Sequence, residues 1–143
     1  MISEHGAWTA YEFMRDGRKV CYMASQPTKD EGNYTRRGDI FALITHGPGQ
    51  AKDVFSYVAG YPYQPNSDVT IKVDSETFKL FTQGEMAWTP DDETDRRLSV
   101  AVQRGARMVV QGRSSRGTLT TDTFSLRGSG AAYKAISRAC GVS

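Results

Sequence analysis

The sequence predicts a mainly β fold, an antiparallel β-sandwich or a barrel-like domain with two short helices. Segments in which apolar and polar residues alternate recur at intervals of roughly eight to twelve residues, and turns containing glycine or proline separate them. Only two segments have the spacing of an amphipathic helix instead. The chain has 143 residues and shows no internal repeat or linker-like change in composition, so we expect a single domain over residues 1–143.

The composition indicates a globular protein, and it argues against nucleic-acid binding and against a membrane-spanning segment. Hydrophobic residues make up 38% of the chain and charged residues 24%, values unlike those of a disordered protein. The 18 Lys and Arg residues nearly balance the 16 Asp and Glu residues, and the formal net charge is +2. Such a balance attracts polyanions weakly, so we expect no binding to nucleic acid. No stretch is long and apolar enough to cross a bilayer, so we expect no integral membrane segment.

The N-terminal part of the chain predicts a hairpin followed by a central strand. Residues 7–13 and 18–26 are expected to pair around the turn Arg15-Asp16-Gly17, in which glycine can supply a positive φ. A polar, glycine-containing loop is expected over residues 28–38. The nearly continuous apolar run 39–46 then predicts a strand at the centre of a sheet.

The middle of the chain predicts further strands and one irregular segment. A turn at 47–50 leads into a strand over 54–59. Residues 60–65 cannot form regular sheet, because two prolines fix φ there, and the tyrosines of this segment are expected to pack on the core. Further strands are predicted over 69–73 and 77–81, with a short apolar segment at 86–88.

The clearest local signal is the start of a helix at Thr89-Pro90-Asp91-Asp92. Thr89 can cap the helix, Pro90 suits its first position, and the aspartates favour its positive end. Leu98, Ala101 and Val102 then form one apolar face, and Gly105 can end the helix. Strands are expected again over 106–111 and 118–126, joined by a loop over 112–117.

The two cysteines, Cys21 and Cys140, lie near opposite ends of the chain and have neither zinc-site nor redox spacing. They can be two independent buried thiols or one disulfide. A last helix is predicted over 129–139, and Tyr133, Ile136 and Cys140 share one of its faces. Docking by that face would bring Cys140 towards the sheet and near Cys21, which favours the disulfide but leaves both interpretations open.

Several stretches of the chain together carry a resemblance to a known family. They are Cys21–Pro27, Asp39–His46, Gly60–Tyr63, Met108-Val109-Val110 leading into Gly112–Thr118, and Ile136–Cys140. In this order they resemble the invasion-associated locus B family of bacterial envelope proteins, from about Trp8 to Gly141. The resemblance implies export to an oxidising compartment, and this makes the Cys21–Cys140 disulfide the favoured interpretation.

The resemblance also implies an address in the cell. Met1–His5 lacks the basic and apolar segments of a signal peptide, so the protein is either cytosolic or has lost its leader. The family implies the second, with the mature protein in the periplasm or outer envelope of a Gram-negative bacterium. Some relatives are linked to the entry of pathogens into host cells. Many carry a second cysteine pair in the region of Phe81–Trp88, and its absence here indicates a divergent branch to which a host-invasion role does not transfer directly.

Residues that could support catalysis or bind metal are few. Ser114 or Ser115 with His46 and Asp122 would supply the residue types of a hydrolase triad, but the chain has no G-x-S-x-G motif. His5 and His46 lack a neighbour at metal-ligand spacing, and His5 is expected in a mobile terminus. Four acidic residues could bind calcium weakly, although their place at a helix start explains them as well: Asp91, Asp92, Glu93 and Asp95.

Two segments are the best candidates for binding. The loop at 112–117 contains Arg113, Ser114, Ser115 and Arg116, whose donors suit an anion such as phosphate, sulfate or a carboxylated sugar. The alternative is an exposed hairpin that arginine keeps soluble. Tyr61 and Tyr63 could anchor a partner or could instead pack at the rim of the core.

These observations favour a non-enzymatic, exported envelope protein of the invasion-associated locus B type. It would contact a protein or an anionic glycan of the envelope or host surface, without a cofactor or a metal. The alternative is a hydrolase acting on envelope material. A buried pocket that groups His46 with a carboxylate and a hydroxyl would favour the hydrolase, and dispersed positions would favour the binding protein.

Overall fold

A computed structural model describes residues 1–34, 37–47 and 52–142. Antiparallel strands dominate it, and two helices follow late in the chain. The strands are β1 (Ser3–His5), β2 (Trp8–Arg15), β3 (Arg18–Ser25), β4 (Lys29–Glu31), β5 (Phe41–His46), β6 (Val54–Val58), β7 (Asp68–Val73), β8 (Glu76–Gln83), β9 (Met86–Trp88), β10 (Arg107–Arg113) and β11 (Leu119–Ser125), and the helices are α1 (Asp92–Arg104) and α2 (Ser129–Cys140). The predicted mainly β fold class with two helices is confirmed.

The strands form a single curled sheet in the order β1-β2-β3-β5-β6-β9-β8-β7-β10-β11-β4. β3 pairs with β2 and β5, whereas β4, which follows it directly, pairs with β11 at the far end of the order. The stretch 18–31 therefore links the part of the sheet near β1 to its far end at β11 and curls the sheet towards a barrel. Two further bonds join these ends, from the Ala7 N–H to the Arg127 carbonyl at 2.9 Å and from the Trp8 indole to the Ser125 carbonyl at 3.0 Å.

Alternation along the strands places one set of side chains inside the barrel. Val69, Ile71 and Val73 of β7 are buried, as their period of two predicts. In β11 the inward positions instead hold two polar residues, Thr120 and Asp122, before Phe124. The barrel interior is thus apolar along most of its length and polar near one end of β11.

The two helices pack against the core with their apolar faces. Leu98 and Val102 of α1 and Ala132 and Ile136 of α2 are fully buried. α2 lies against β1, β2 and β3, and α1 contacts α2 and β6. The predicted packing of Leu98 and Val102 is confirmed. No helix within the described ranges has the length and apolar character needed to cross a membrane.

The start of α1 differs from the prediction of Thr89 or Pro90, because Asp91 is the residue that caps it. The Asp91 backbone is extended, and its carboxylate accepts the Thr94 N–H at 2.7 Å, so the helix begins at Asp92. The Thr89 hydroxyl instead donates to the buried carboxylate of Asp95 at 2.5 Å. Asp95 also accepts the Phe55 N–H at 2.9 Å and so joins α1 to β6. Aspartate caps at least as well as threonine, which allows this shift.

Two further segments differ from the sequence-based expectation or lie outside the described residues. The loop predicted over 28–38 contains β4, a short exposed strand that forms because β11 offers it a pairing edge. Residues 35–36 of that loop and most of the turn predicted at 47–50 lie outside the residues that the structure describes.

Cys21 and Cys140 are bonded, with an S–S distance of 2.07 Å and a Cα–Cα distance of 6.1 Å. Cys21 lies in β3 and Cys140 in the last turn of α2, 119 residues later in the chain. Tyr133, Ile136 and Cys140 share one helix face that meets the sheet, as their spacing indicates. The predicted disulfide is confirmed.

Candidate functional site

The two segments that the sequence singled out for binding lie side by side at one end of the barrel. The Ser115 N–H donates to the Pro62 carbonyl at 2.8 Å, and the Gln64 N–H donates to the Arg113 carbonyl at 2.9 Å. Tyr63 and Ser114 form an isolated antiparallel bridge between these bonds. The tyrosine segment and the arginine loop therefore form one surface, which is called the barrel end below.

A buried ion pair lies beneath the barrel end. The Arg37 guanidinium donates to both carboxylate oxygens of Asp122 at 2.7 Å each, and its Nε donates to the Ala59 carbonyl at 2.8 Å. The Tyr57 hydroxyl donates to the same carboxylate at 2.5 Å. The side chains of Arg37 and Asp122 are 10% and 1% exposed, so the pair is largely removed from water.

Charge and burial act together on the pKa values of this cluster. Burial disfavours the charged form of Arg37, but its hydrogen bonds and Coulomb attraction to Asp122 outweigh that effect, and the pKa of Arg37 lies above its ordinary value. Burial, and then the neighbouring Asp122 carboxylate, raises the pKa of Tyr57. Arg37 therefore stays charged and Tyr57 stays neutral near neutral pH.

Tyr61 connects this buried pair to the surface. Its hydroxyl shares a hydrogen bond of 2.6 Å with the Thr120 hydroxyl, and the Arg37 Cζ atom lies 4.8 Å from the centre of its ring. The ring of Tyr34 stacks on Tyr61 with centroids 5.2 Å apart, and Tyr63 meets Tyr61 edge-on at 5.3 Å. A pair of stacked aromatic rings is thus held by groups inside the barrel.

A cavity of about 450 Å³ opens beside this stack. Tyr34 and Tyr61 line one part of it, and Ser115, Arg116 and Thr118 of the arginine loop line another. Ser115 and Arg116 are exposed, whereas Tyr61 is buried apart from 3% of its surface. Its described lining combines aromatic surface with the Arg116 cation and hydroxyl groups, which suits a polar ligand with apolar faces and a negative charge.

The other predicted site residues have roles within the loop itself. The Ser114 hydroxyl is buried and accepts the N–H groups of Arg116 at 3.2 Å and Thr118 at 3.1 Å, so it shapes the turn. The Arg113 guanidinium donates to the Gly117 carbonyl at 2.8 Å. Tyr63 is buried at the rim of the core. Of the predicted binding residues, Ser115 and Arg116 therefore have exposed side chains directed to the cavity.

The residue types of a hydrolase triad do not meet in the predicted combination. His46 is fully buried and lies within 3.0 Å of the Ser137 hydroxyl, while Asp122 is occupied by Arg37 and Tyr57 at the barrel end. Ser114 is occupied by its own turn. The physical reason is topological, because His46 ends β5 next to α2, whereas Asp122 lies in β11.

His46 does have a hydroxyl and a carboxylate nearby, but its tautomer is unsuited to catalysis. The Asp53 N–H donates to Nδ1 at 3.1 Å, so the neutral ring carries its proton on Nε2 and donates to Ser137. A catalytic serine needs the opposite arrangement, in which Nε2 accepts the serine proton. The Asp53 carboxylate accepts the Tyr133 hydroxyl, and burial lowers the pKa of His46 despite the attraction of Asp53.

The remaining candidates for metal binding are explained by local structure. Asp91 caps α1, and Asp95 is buried and hydrogen-bonded to Thr89 and Phe55. His5, expected in a mobile terminus, lies in β1 with its Nε2 atom 2.7 Å from the Ser3 hydroxyl. Across residues 1–34, 37–47 and 52–142, no group of three or more His, Cys, Asp or Glu residues is arranged to hold a metal ion.

Sequence reasoning missed Arg37 and Tyr34, which complete the site. Both fall in a segment that appears as a polar loop, and their partners lie far along the chain. The inward position of Asp122 could have been predicted, because Asp122 lies between Thr120 and Phe124 on the same face of an alternating strand. An acidic residue at such a position requires a buried partner.

The chain matches the family described as "Invasion associated locus B (IalB) protein" over residues 8–137. Among solved structures it is similar to the crystal structure of invasion associated protein B from Bartonella henselae, with a TM-score of 0.67 and 14% sequence identity over 97% of this chain and 96% of that chain. At that identity the likeness concerns the fold alone. Comparison with curated proteins finds no match. Since the family match spans most of the sequence, the resemblance is confirmed and the chain belongs to the invasion associated locus B family.

Proposed function

We propose that this chain is a non-enzymatic envelope protein that binds an anionic glycan in the cavity at the barrel end. The observation that carries the proposal is the juxtaposition of the stacked Tyr34 and Tyr61 rings with exposed Arg116 and Ser115 around one cavity. The ligand would belong to the bacterial envelope or to a host surface, and its binding would mediate an interaction of the cell surface.

The chemistry of the cavity favours a sugar that carries carboxylate, sulfate or phosphate. Sugar rings have apolar faces that pack on aromatic rings, and the half-buried ring of Tyr34, which stacks on Tyr61, offers such a surface. Arginine forms charge-assisted hydrogen bonds with oxyanions, and a serine hydroxyl adds a neutral donor. The site is preorganised, because Arg37, Asp122 and Thr120 hold Tyr61 from inside. An uncharged glycan would use only the aromatic part of this site.

The disulfide and the family support a place outside the cytoplasm, in the periplasm or outer envelope. A disulfide that joins β3 to α2 is stable in an oxidising compartment and would be at risk of reduction in the cytosol.

The hydrolase alternative has less support. The carboxylate of Asp122 is already hydrogen-bonded to Arg37, and the ring of His46 is already hydrogen-bonded to Ser137. Among the described residues, those that line the cavity at the barrel end carry aromatic, hydroxyl and cationic groups, and none of them is a carboxylate that could act as a general acid. Binding without turnover is therefore the function that this arrangement supports best.

A binding panel tests the proposal. The intact, disulfide-bonded chain is titrated with a heparin hexasaccharide, a phosphorylated oligosaccharide and uncharged maltohexaose, and the same solutions are assayed for released reducing ends. We expect saturable binding to at least one charged glycan, weaker binding at high salt, and no release of product. Tyr34→Ala should weaken the binding, and Thr70→Ala on β7 is the matched control. Equal affinity for charged and uncharged glycans, absence of binding, or turnover would overturn the proposal.

A further inference from the structure

A second feature of the molecule lies on the outside of the barrel, away from the barrel end. Residues that do not point inwards form the outer face of the sheet, and this face is usually polar in a protein with one solvated side. Over β2, β3, β5, β6 and β9 the outer face instead carries aromatic and aliphatic residues: Tyr11, Phe13, Tyr22, Leu43, Val54 and Trp88. This part of the sheet is called the outer apolar face below.

Strand register gives the outer apolar face a groove. Tyr22 pairs with Thr45, and Leu43 pairs with Ser56, which in turn pairs with Trp88. Large rings therefore flank a middle made of smaller side chains, and the depression between them measures about 510 Å³. That volume is within the range of about 300–1,000 Å³ found for small-molecule sites.

The aromatic wall on β2 and β3 is ordered by its own contacts. The rings of Tyr11 and Tyr22 stack with centroids 4.9 Å apart, and Phe13 meets Tyr22 edge-on at 6.0 Å. Phe13 is nevertheless 40% exposed. Binding of an apolar ligand that removes this exposed apolar surface from water would therefore be favourable.

One end of the groove is cationic. Arg15 lines it, and its Cζ atom lies 5.4 Å from the centre of the Phe13 ring. Arg15 pairs across the hairpin with Arg18, so two like charges face each other. Asp16 is the one acidic residue in the turn between them. Like charges in cross-strand pairs repel each other, and an anion bound there would relieve that repulsion. Among the described residues, the ion pairs involve neither Arg15 nor Arg18.

We propose that this groove binds the acyl chain of a fatty acid, with its carboxylate at Arg15. The mostly apolar lining of the groove suits a single flexible acyl chain, and the charge of Arg15 at one end suits a single anionic head. A bilayer surface fits less well, because a flat membrane cannot enter a depression between the Phe13–Tyr22 wall and Trp88. A second copy of the chain also fits less well, because it would have to place an acidic group opposite Arg15 as well as fill the groove.

Titration of the full disulfide-bonded chain with dodecanoate, below its critical micelle concentration, tests this proposal. We expect saturable one-to-one binding by calorimetry. A brominated dodecanoate should quench Trp88, because that ring lines the groove, and should spare Trp8, which is fully buried inside the barrel. The Trp88→Phe variant separates the two signals.

Two substitutions, each paired with a control substitution elsewhere on the sheet, locate the site. Thr45→Trp fills the floor of the groove and should abolish binding, whereas Thr70→Trp, an outward threonine on β7, should leave it unchanged. Arg15→Gln should weaken dodecanoate binding by about fivefold, because an exposed ion pair contributes little more than this to affinity. Binding of dodecanol should stay unchanged, because dodecanol carries no charge. Arg107→Gln on β10 is the charge-matched control.

The same measurements give the outcomes that would overturn the proposal. Absence of saturable dodecanoate binding, or equal binding by wild type and Thr45→Trp, would exclude the groove as the site. Dimer formation that Thr45→Trp abolishes would show that a second copy covers the outer apolar face. Association with vesicles but not with monomeric dodecanoate would show that the face binds membrane instead.

Discussion

Arg37 and Asp122 form a bidentate ion pair inside the barrel although they lie 85 residues apart in the sequence. Asp122 belongs to β11 and Arg37 to the connection that precedes β5, so the pair joins two distant parts of the sheet. Tyr57 donates to the same carboxylate, and the Arg37 guanidinium faces the ring of Tyr61. The ion pair thus joins the core to the tyrosine stack of the proposed binding site.

The first prediction concerns this pair. Arg37→Met should destabilise the protein by about 3–5 kcal/mol, because it leaves a buried carboxylate without its cation. Adding Asp122→Leu should recover part of that loss, because no buried charge then remains unpaired. Urea unfolding of the wild type, both single variants and the double variant measures this coupling. A double variant as unstable as the sum of the single ones would show that the two residues act independently.

The second prediction concerns the disulfide. Replacing Cys21 and Cys140 together by Ala should lower the free energy of unfolding by about 4–5 kcal/mol, because the bond closes a long loop in the unfolded chain. Reduction of the wild type should have a similar effect, and a reductant should not change the double variant. Intact mass and thiol titration of the unfolded, unreduced wild type give the bond directly. Two titratable thiols in that sample would contradict the disulfide.

The third prediction concerns the packing of α1. Leu98 is fully buried, so Leu98→Ala should cost about 2–5 kcal/mol of stability through lost contacts and a residual cavity. Val100 is 39% exposed on the same helix, and Val100→Ala serves as the control with an expected change below about 0.5 kcal/mol. Equal effects of the two substitutions, measured by urea unfolding, would mean that the helix does not present its Leu98 face to the core.

The fourth prediction is a pH dependence that arises from His46. Burial lowers the pKa of His46 in the folded protein, so the unfolded chain binds a proton more readily, and stability should fall as the pH drops below the unfolded value of about 6.5. The slope from one such group is at most about 1.4 kcal/mol per pH unit. His46→Gln should remove this slope, and His5→Gln should keep it. The same slope in both variants would assign the effect to another group.

Parts of the fold that depend on local patterns could be predicted from the sequence, and parts that depend on distant pairing could not. The shared face of Ile136 and Cys140 follows from helical spacing, so the docking of α2 could be predicted from local sequence. The disulfide became the favoured interpretation only through the family resemblance, which implies an oxidising compartment. β4 was missed, because three polar, exposed residues form a strand only when β11 lies beside them. Arg37 was missed for the same reason, since nothing in its neighbourhood reveals that its partner is Asp122.

The candidate site was accessible only in part. Both binding segments were identified, but local sequence could not reveal that Pro62 and Ser115 hydrogen-bond to each other. Nor could it distinguish the two arginines, since Arg113 is engaged with the Gly117 carbonyl while Arg116 lines the cavity. Their different roles arise from the turn that Ser114 organises.

This difference between the two arginines offers the most direct test of glycan binding at the barrel end. The measurement is calorimetric titration of Arg116→Gln and Arg113→Gln with the charged glycan that binds the wild type most tightly. Both variants lose one positive charge from the same loop, so a purely long-range electrostatic attraction would weaken equally in both. We predict that Arg116→Gln lowers the affinity by about fivefold or more and that Arg113→Gln changes it by less than half as much. Equal losses in the two variants, or no loss in either, would contradict a binding site in this cavity.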